Sequence, residues 1–153
     1  MKQVYLDAKE ELKRVDHLIY VSLKYTRTVD VLKNVLERMI NFYEIILVGR
    51  LEEAKELRKI DEVPSQPVKR CELLLEIEPN SIRMKEVITH FLRFRKLLRA
   101  DFDTINEYRR HVAFIAHTDD EGDVEIHIDF VTEHYKYMQA LHEELIKTDE
   151  EDD

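Results

Sequence analysis

Glycine and proline are nearly absent, with two and three residues in a chain of 153. A sandwich or barrel needs many tight turns, and those turns draw on both residues, so this scarcity excludes most all-β architectures and favours long helices. Cysteine occurs once, at Cys71, so no intramolecular disulfide forms and a reducing compartment is the expected setting. Cys71 sits among Leu73 and Leu74 and reads as a small core residue. Tryptophan is missing altogether. No apolar run approaches the roughly 20 residues that span a bilayer. Runs such as Ile45 to Val48 and Val112 to Ala116 are four and five residues long. The first residues soon meet Asp7, Glu10 and Glu11, which no secretory signal tolerates. These absences predict a soluble cytoplasmic protein with no membrane segment.

What is present is charge and helical periodicity. Charged residues make up 37% of the chain and hydrophobic ones 44%, enough for a core. The formal net charge is -9, but it is unevenly placed. Residues 1–62 balance, residues 83–110 carry an excess of four positive charges, and residues 111–153 an excess of twelve negative ones. Nonspecific polyanion binding by the whole molecule is therefore disfavoured, and any contact with RNA or DNA falls to residues 83–110.

The apolar residues of 2–26 (Tyr5, Ala8, Leu12, Val15, Ile19) recur at three and four, which predicts a helix with a break at Thr26 to Thr28. A second stripe (Val29, Leu32, Leu36, Met39, Tyr43, Ile46) continues past Gly49 to about residue 60. Pro64-Ser65-Gln66-Pro67 is a loop, with a proline suited to start a short helix over 67–77. Asn80 or Ser81 caps a long helix to about residue 110. At His111 the period becomes two: Val112, Phe114 and Ala116 alternate, and so do Val124, Ile126 and Ile128. Asp119 to Gly122 reads as the turn between them, with residue 119 opposite 123 and residue 116 opposite 126. A final helix spans about 130–147, before a frayed acidic tail, 149–153. The fold expected is mainly α: one domain over 1–148, an up-and-down helical bundle with a C-terminal β-hairpin at about 111–129 and a final helix.

Three constellations could carry chemistry. Arg110 is followed by a polar residue, His111, and then by His117. An Arg, four to six residues and a His, after paired amphipathic helices, resembles the HEPN superfamily of small helical-bundle proteins over about residues 1–117. The resemblance implies either a non-catalytic module that binds nucleotide or RNA, or a metal-independent endoribonuclease of toxin–antitoxin type. In the second case Arg110 would stabilise phosphate, His117 would be the general acid or base, and His111 the polar neighbour. It also implies a homodimer that shares the site. Chemically, cleavage through a 2′-hydroxyl needs a group titrating near neutrality and a fixed cation on the phosphorane, roles that His and Arg suit. The same spacing recurs at Arg83 and His90.

The second constellation is a possible metal site, with His117 opposite Glu125 and His127 two residues further along that face. Three ligands on a wet hairpin face also read as no site at all, and no metal or other cofactor is expected. The third is a basic helical stripe. On a helix, Lys85, Lys96, Arg99 and Arg110 fall on one face with Arg95 nearby, and such a face can follow a phosphate backbone. Asp103 would partly neutralise it. A solvated face that binds no nucleic acid, in a plain structural or adaptor protein, is the competing reading.

Overall fold

The computed structural model describes residues 1–152. Its first rod is α1 (Lys2–His17), a single π-helical turn at Leu18–Ser22 and a short α2 (Leu23–Tyr25), in unbroken succession. The break falls at Thr26 to Thr28, as the sequence suggests. Thr28 takes an extended conformation, and its hydroxyl accepts a 3.3 Å hydrogen bond from the Val31 amide, capping α3 (Val29–Glu56). This helix is the centre of the molecule. Leu32, Val35, Leu36, Met39, Phe42, Tyr43, Ile46 and Leu47 have no exposed surface. At 100° per residue those positions form one apolar face about 140° wide, broad enough to need more than one neighbour. It ends at Glu56 rather than near residue 60: Arg58 adopts φ 59° and the Lys59 amide turns back to the Ala54 carbonyl at 2.9 Å.

Helix α1 crosses α3 at Gly49, which is buried. A β-carbon there would lie 2.6 Å from both methyl groups of Val4. The glycine thus serves close helix approach, and its cost in helix propensity, about 1 kcal/mol, is offset by that packing.

Helix α4 (Pro67–Ile77) begins on its proline, and α5 (Ile82–Arg99) begins where the Ser81 hydroxyl accepts from the Met84 amide at 3.2 Å. The chain then departs from the helical expectation. Helix α5 stops at Arg99, Ala100 is extended (ψ 151°), and Asp101–Ile105 form a strand, β1. The predicted hairpin is therefore a three-stranded antiparallel sheet, β1 with β2 (Ala113–Thr118) and β3 (Gly122–His127), in that order. The turn also shifts. Thr118 pairs with Gly122 and Ala116 with Val124, two residues from the expected register. The Thr118 hydroxyl fixes it, donating to the Gly122 carbonyl at 2.7 Å and accepting from the Glu121 amide at 3.1 Å. A two-residue slip preserves the faces, so Phe114, Ala116 and Ile126 are still buried against the bundle. Phe102 of β1 meets Phe114 edge to face at 5.9 Å, under the Lys33 ammonium at 3.1 Å from its centroid.

The last helix, α6, runs over Ile128–Asp152, so the tail expected to fray is helical through Asp152, and residue 153 lies outside the described residues. Asp149 anchors it, accepting from the Tyr5 hydroxyl at 2.7 Å and pairing with Arg50 at 3.3 Å. No described helix is long and apolar enough to cross a membrane.

Gly49→Ala is expected to destabilise the fold by about 1–3 kcal/mol through overpacking, despite the better helix propensity of alanine. Adding Val4→Ala should recover part of that loss in urea denaturation. An unchanged midpoint for Gly49→Ala alone would contradict the close approach.

Candidate functional site

The two residues of the sequence motif are not neighbours within one chain. His117 lies near the far end of β2, and Arg110 lies in the turn that precedes the strand. The strand from Ala113 to His117 alone spans about 13 Å. Both nitrogens of His117 are engaged. Nδ1 pairs with Asp123 of β3 at 2.7 Å, and Nε2 with Asp103 of β1 at 2.8 Å. These hydrogen bonds, to Asp123 first and then Asp103, raise the His117 pKa above the ordinary histidine value. A ring clasped in this way has no free lone pair for general-base work. It staples three strands across their solvent face.

The metal constellation dissolves with the register. His117 faces Asp123, while Glu125 faces Ile115 and His127 faces Ala113. His127 caps instead: its Nδ1 accepts from the Phe130 amide at 3.0 Å at the start of α6. Among the described residues, no three His, Cys, Asp or Glu side chains are grouped to hold a metal ion.

The basic stripe is shortened and partly neutralised. Arg110 leaves it, because α5 ends at Arg99. The acidic tip of the β2–β3 hairpin folds back on what is left. Lys96 donates to Asp120 at 2.7 Å, and Arg93 donates to Glu121 at 3.0 Å. Arg95 lies over the Phe91 ring at 5.4 Å. Lys85 and Arg99 remain exposed, but they no longer belong to a four-cation track.

A different arrangement collects cations. A cleft of about 490 Å³ is lined by Arg27, Arg110, His111, Val112, Glu125, His127, Ile128 and Asp129. Three junctions meet there: the α2–α3 link, the β1–β2 turn and the passage from β3 into the first turn of α6. Two bonds fasten the β1–β2 turn to the α2–α3 link. The Tyr108 amide donates to the Arg27 carbonyl at 2.6 Å, and Glu107 accepts from the Val29 amide at 3.2 Å, at the α3 N-terminus. Asn106 donates to the His111 carbonyl at 3.4 Å, within the turn. Neither Arg27 nor Arg110 has an ion-pair partner among the described residues, although Glu125 and Asp129 line the same cleft. Sequence reading found Arg110 and His111 but missed Arg27, which no local pattern links to them.

Of Arg83 and His90, the second instance of the motif spacing, Arg83 is partly exposed and pairs with Glu86 at 3.4 Å, while His90 joins an aromatic cluster. His90 and His134 meet edge to face at 4.9 Å, between Tyr43 and Tyr137. The Tyr43 hydroxyl and His134 Nε2 are 2.7 Å apart, and the Tyr137 hydroxyl donates to Glu86 at 2.7 Å. Burial, followed by the charges of His90 and Arg93, depresses His134 to about 3. Burial is also the main cause of the lowered His90 value. Cys71 is buried, and burial pushes its thiol up to about 11, which suits a packing role.

No family model, curated protein or solved structure matches this chain.

The two kinds of histidine make opposite contributions to stability. The raised His117 value favours the folded state at low pH, an effect lost as pH rises through that value. The unfolded chain protonates its histidines near pH 6.5, whereas His134 stays neutral in the fold, so its contribution falls as pH drops from about 6.5 towards 3. In an NMR titration, His117 is expected to reach half-protonation above pH 6.5, with His134 still neutral at pH 5. Parallel titration of the two rings would contradict these environments.

Proposed function

We propose that this chain is a non-catalytic, HEPN-like binding module that takes the phosphate of a nucleotide or an RNA strand in the cleft between the β1–β2 turn and the start of α6. The observation that carries this reading is the meeting of Arg27, Arg110 and His111 in one cleft, with both guanidiniums free of an intrachain carboxylate. A guanidinium presents a planar fork of donors that matches phosphate oxygens. By contrast, Lys96 and Arg93 of α5 already have acidic partners within the chain. One chain completes the cleft, so binding does not require the homodimer that the resemblance implies. The endoribonuclease alternative gains no support from the His117 geometry, since a doubly bonded ring lacks a free site to accept a proton.

Titration with inorganic pyrophosphate and with a short single-stranded RNA, each at two salt concentrations, tests the reading. Binding should weaken as salt rises. Arg27→Ala and Arg110→Ala should each reduce affinity roughly tenfold or more, the scale of a lost charge-assisted hydrogen bond. Lys96→Ala with Arg99→Ala should leave it nearly unchanged. Loss confined to the α5 variants would return the interface to the basic stripe. No binding at all would leave an adaptor role, and cleavage of the RNA would restore the enzyme.

A further inference from the structure

The sheet has one open edge. Strand β1 pairs with β2 along one side, and no described strand lies along the other. Asp101, Phe102, Asp103 and Thr104 are all exposed. In an antiparallel pair each strand turns alternate N–H and C=O groups away from its neighbour, so β1 presents unpaired donors and acceptors to solvent. Folds commonly blunt such an edge with a proline, a bulge or a covering segment. Strand β1 has no proline, and its register runs without a bulge from Asp101 opposite His117 to Ile105 opposite Ala113. The clasp of His117 between Asp103 and Asp123 ties β1 across the sheet, so the edge is held in place before anything meets it.

The two faces of this edge differ in chemistry. Asp101 and Asp103 share the solvent face with Asp123 and Glu125 of β3. None of the three strands carries a Lys or Arg. Phe102 and Thr104 lie on the opposite face, across from Ala116 and Phe114. The Phe102 side chain is 41% exposed, and the Lys33 ammonium stands 3.1 Å from its ring centroid. A strand laid alongside β1 therefore meets carboxylates on one face and an aromatic ring beside a cation on the other. Side chains alternate between faces along a strand. Lys or Arg suits the first face. Small apolar side chains suit the second, where Lys33 repels a cation. A second copy of this chain does not fit. With both bundles on one side of a joined sheet, full overlap sets Asp103 opposite its own counterpart, and a slip of two sets Asp101 opposite Asp103. Like charges directly opposite each other are destabilising.

We propose that β1 is a docking edge for an extended segment of a partner protein, in which Lys or Arg alternates with valine-like residues, and that this segment adds a fourth strand to the sheet. Backbone hydrogen bonds to β1 supply the attraction, and the alternating side chains supply the selectivity. The charges that keep a second copy away are the ones that select a basic strand. No β1 residue lines the cleft of the proposed phosphate site, so the two surfaces stand or fall separately.

An NMR titration of the full chain with the synthetic peptide Thr-Lys-Val-Lys-Val-Lys-Thr tests this, with the peptide carrying Glu in place of each Lys as control. The basic peptide should bind and the acidic one should not. On binding, the β1 amides that face solvent should gain protection from hydrogen exchange, at alternate positions only. Asp101→Asn, which leaves the His117 clasp untouched, should weaken the basic peptide roughly twofold to fivefold, the scale of one cross-strand charge pair. Asp101→Lys should weaken it further and narrow the gap between the two peptides. Equal binding of both peptides, binding that leaves the β1 amides unprotected, or no binding of either peptide overturns the proposal. Protection of the same amides that grows with protein concentration alone also overturns it, in favour of a second copy.

Discussion

Burial of the broad apolar face of α3 is the constraint from which the rest follows. A 28-residue helix with this many fully buried positions needs several neighbours to cover its apolar face. Helix α1 covers one flank, close enough that Gly49 has no room for a β-carbon. Helices α5 and α6 cover others, and the buried face of the sheet closes against α3 and α5. Once the helical faces are committed to packing, the freedom left for function lies at the junctions where the backbone leaves the rods. Several of those junctions are gathered at the N-terminal end of α3, because Glu107 caps it and the Tyr108 amide holds the link before it. The cleft is thus a consequence of how the central helix is capped.

The charge distribution along the chain does not carry over directly to the surface. A positive block at 83–110 followed by a negative stretch suggests two separate electrostatic faces. In the fold, the negative stretch returns upon the positive one: the hairpin tip meets Lys96 and Arg93, and α6 brings Glu144 near Arg83. These pairs are exposed and individually weak, but they lower the local potential that a polyanion would sense. Arg27 and Arg110 are two of six arginines without an ion-pair partner among the described residues, and these two line one cleft, together with Glu125 and Asp129.

Helical periodicity was legible wherever one helix face met the core. The break after Tyr25, the proline start of α4 and the Ser81 cap all follow from local chemistry. Strand β1 was hidden because Leu98, Phe102 and Ile105 satisfy helical spacing, whereas Phe102 and Ile105, three residues apart, give no strand alternation. What decides between them is pairing with β2, a nonlocal interaction with no local sequence mark. The hairpin register was missed for a related reason, since the side chain of Thr118 sets it and alternation alone allows a slip of two. Asp149 belongs to an acidic run that looks unstructured, and only its partners Tyr5 and Arg50 reveal that the helix continues. Arg27 and Arg110 come together through the backbone bond at Tyr108, so half of the candidate site could not be read from spacing.

The histidines show why a motif built on residue type and interval says little by itself. His117 is clasped between two carboxylates, His134 is held neutral in the core, and His127 caps a helix. His142 donates to the Tyr5 carbonyl at 2.9 Å, a buried structural bond. Each is already committed to holding the fold together. His111 differs: its ring is exposed in the cleft, next to Arg110, and has no hydrogen-bond partner among the described residues. A side chain whose bonding capacity the fold leaves unused is the one available to a ligand, and on that criterion the polar neighbour in the motif has a better claim than the terminal histidine.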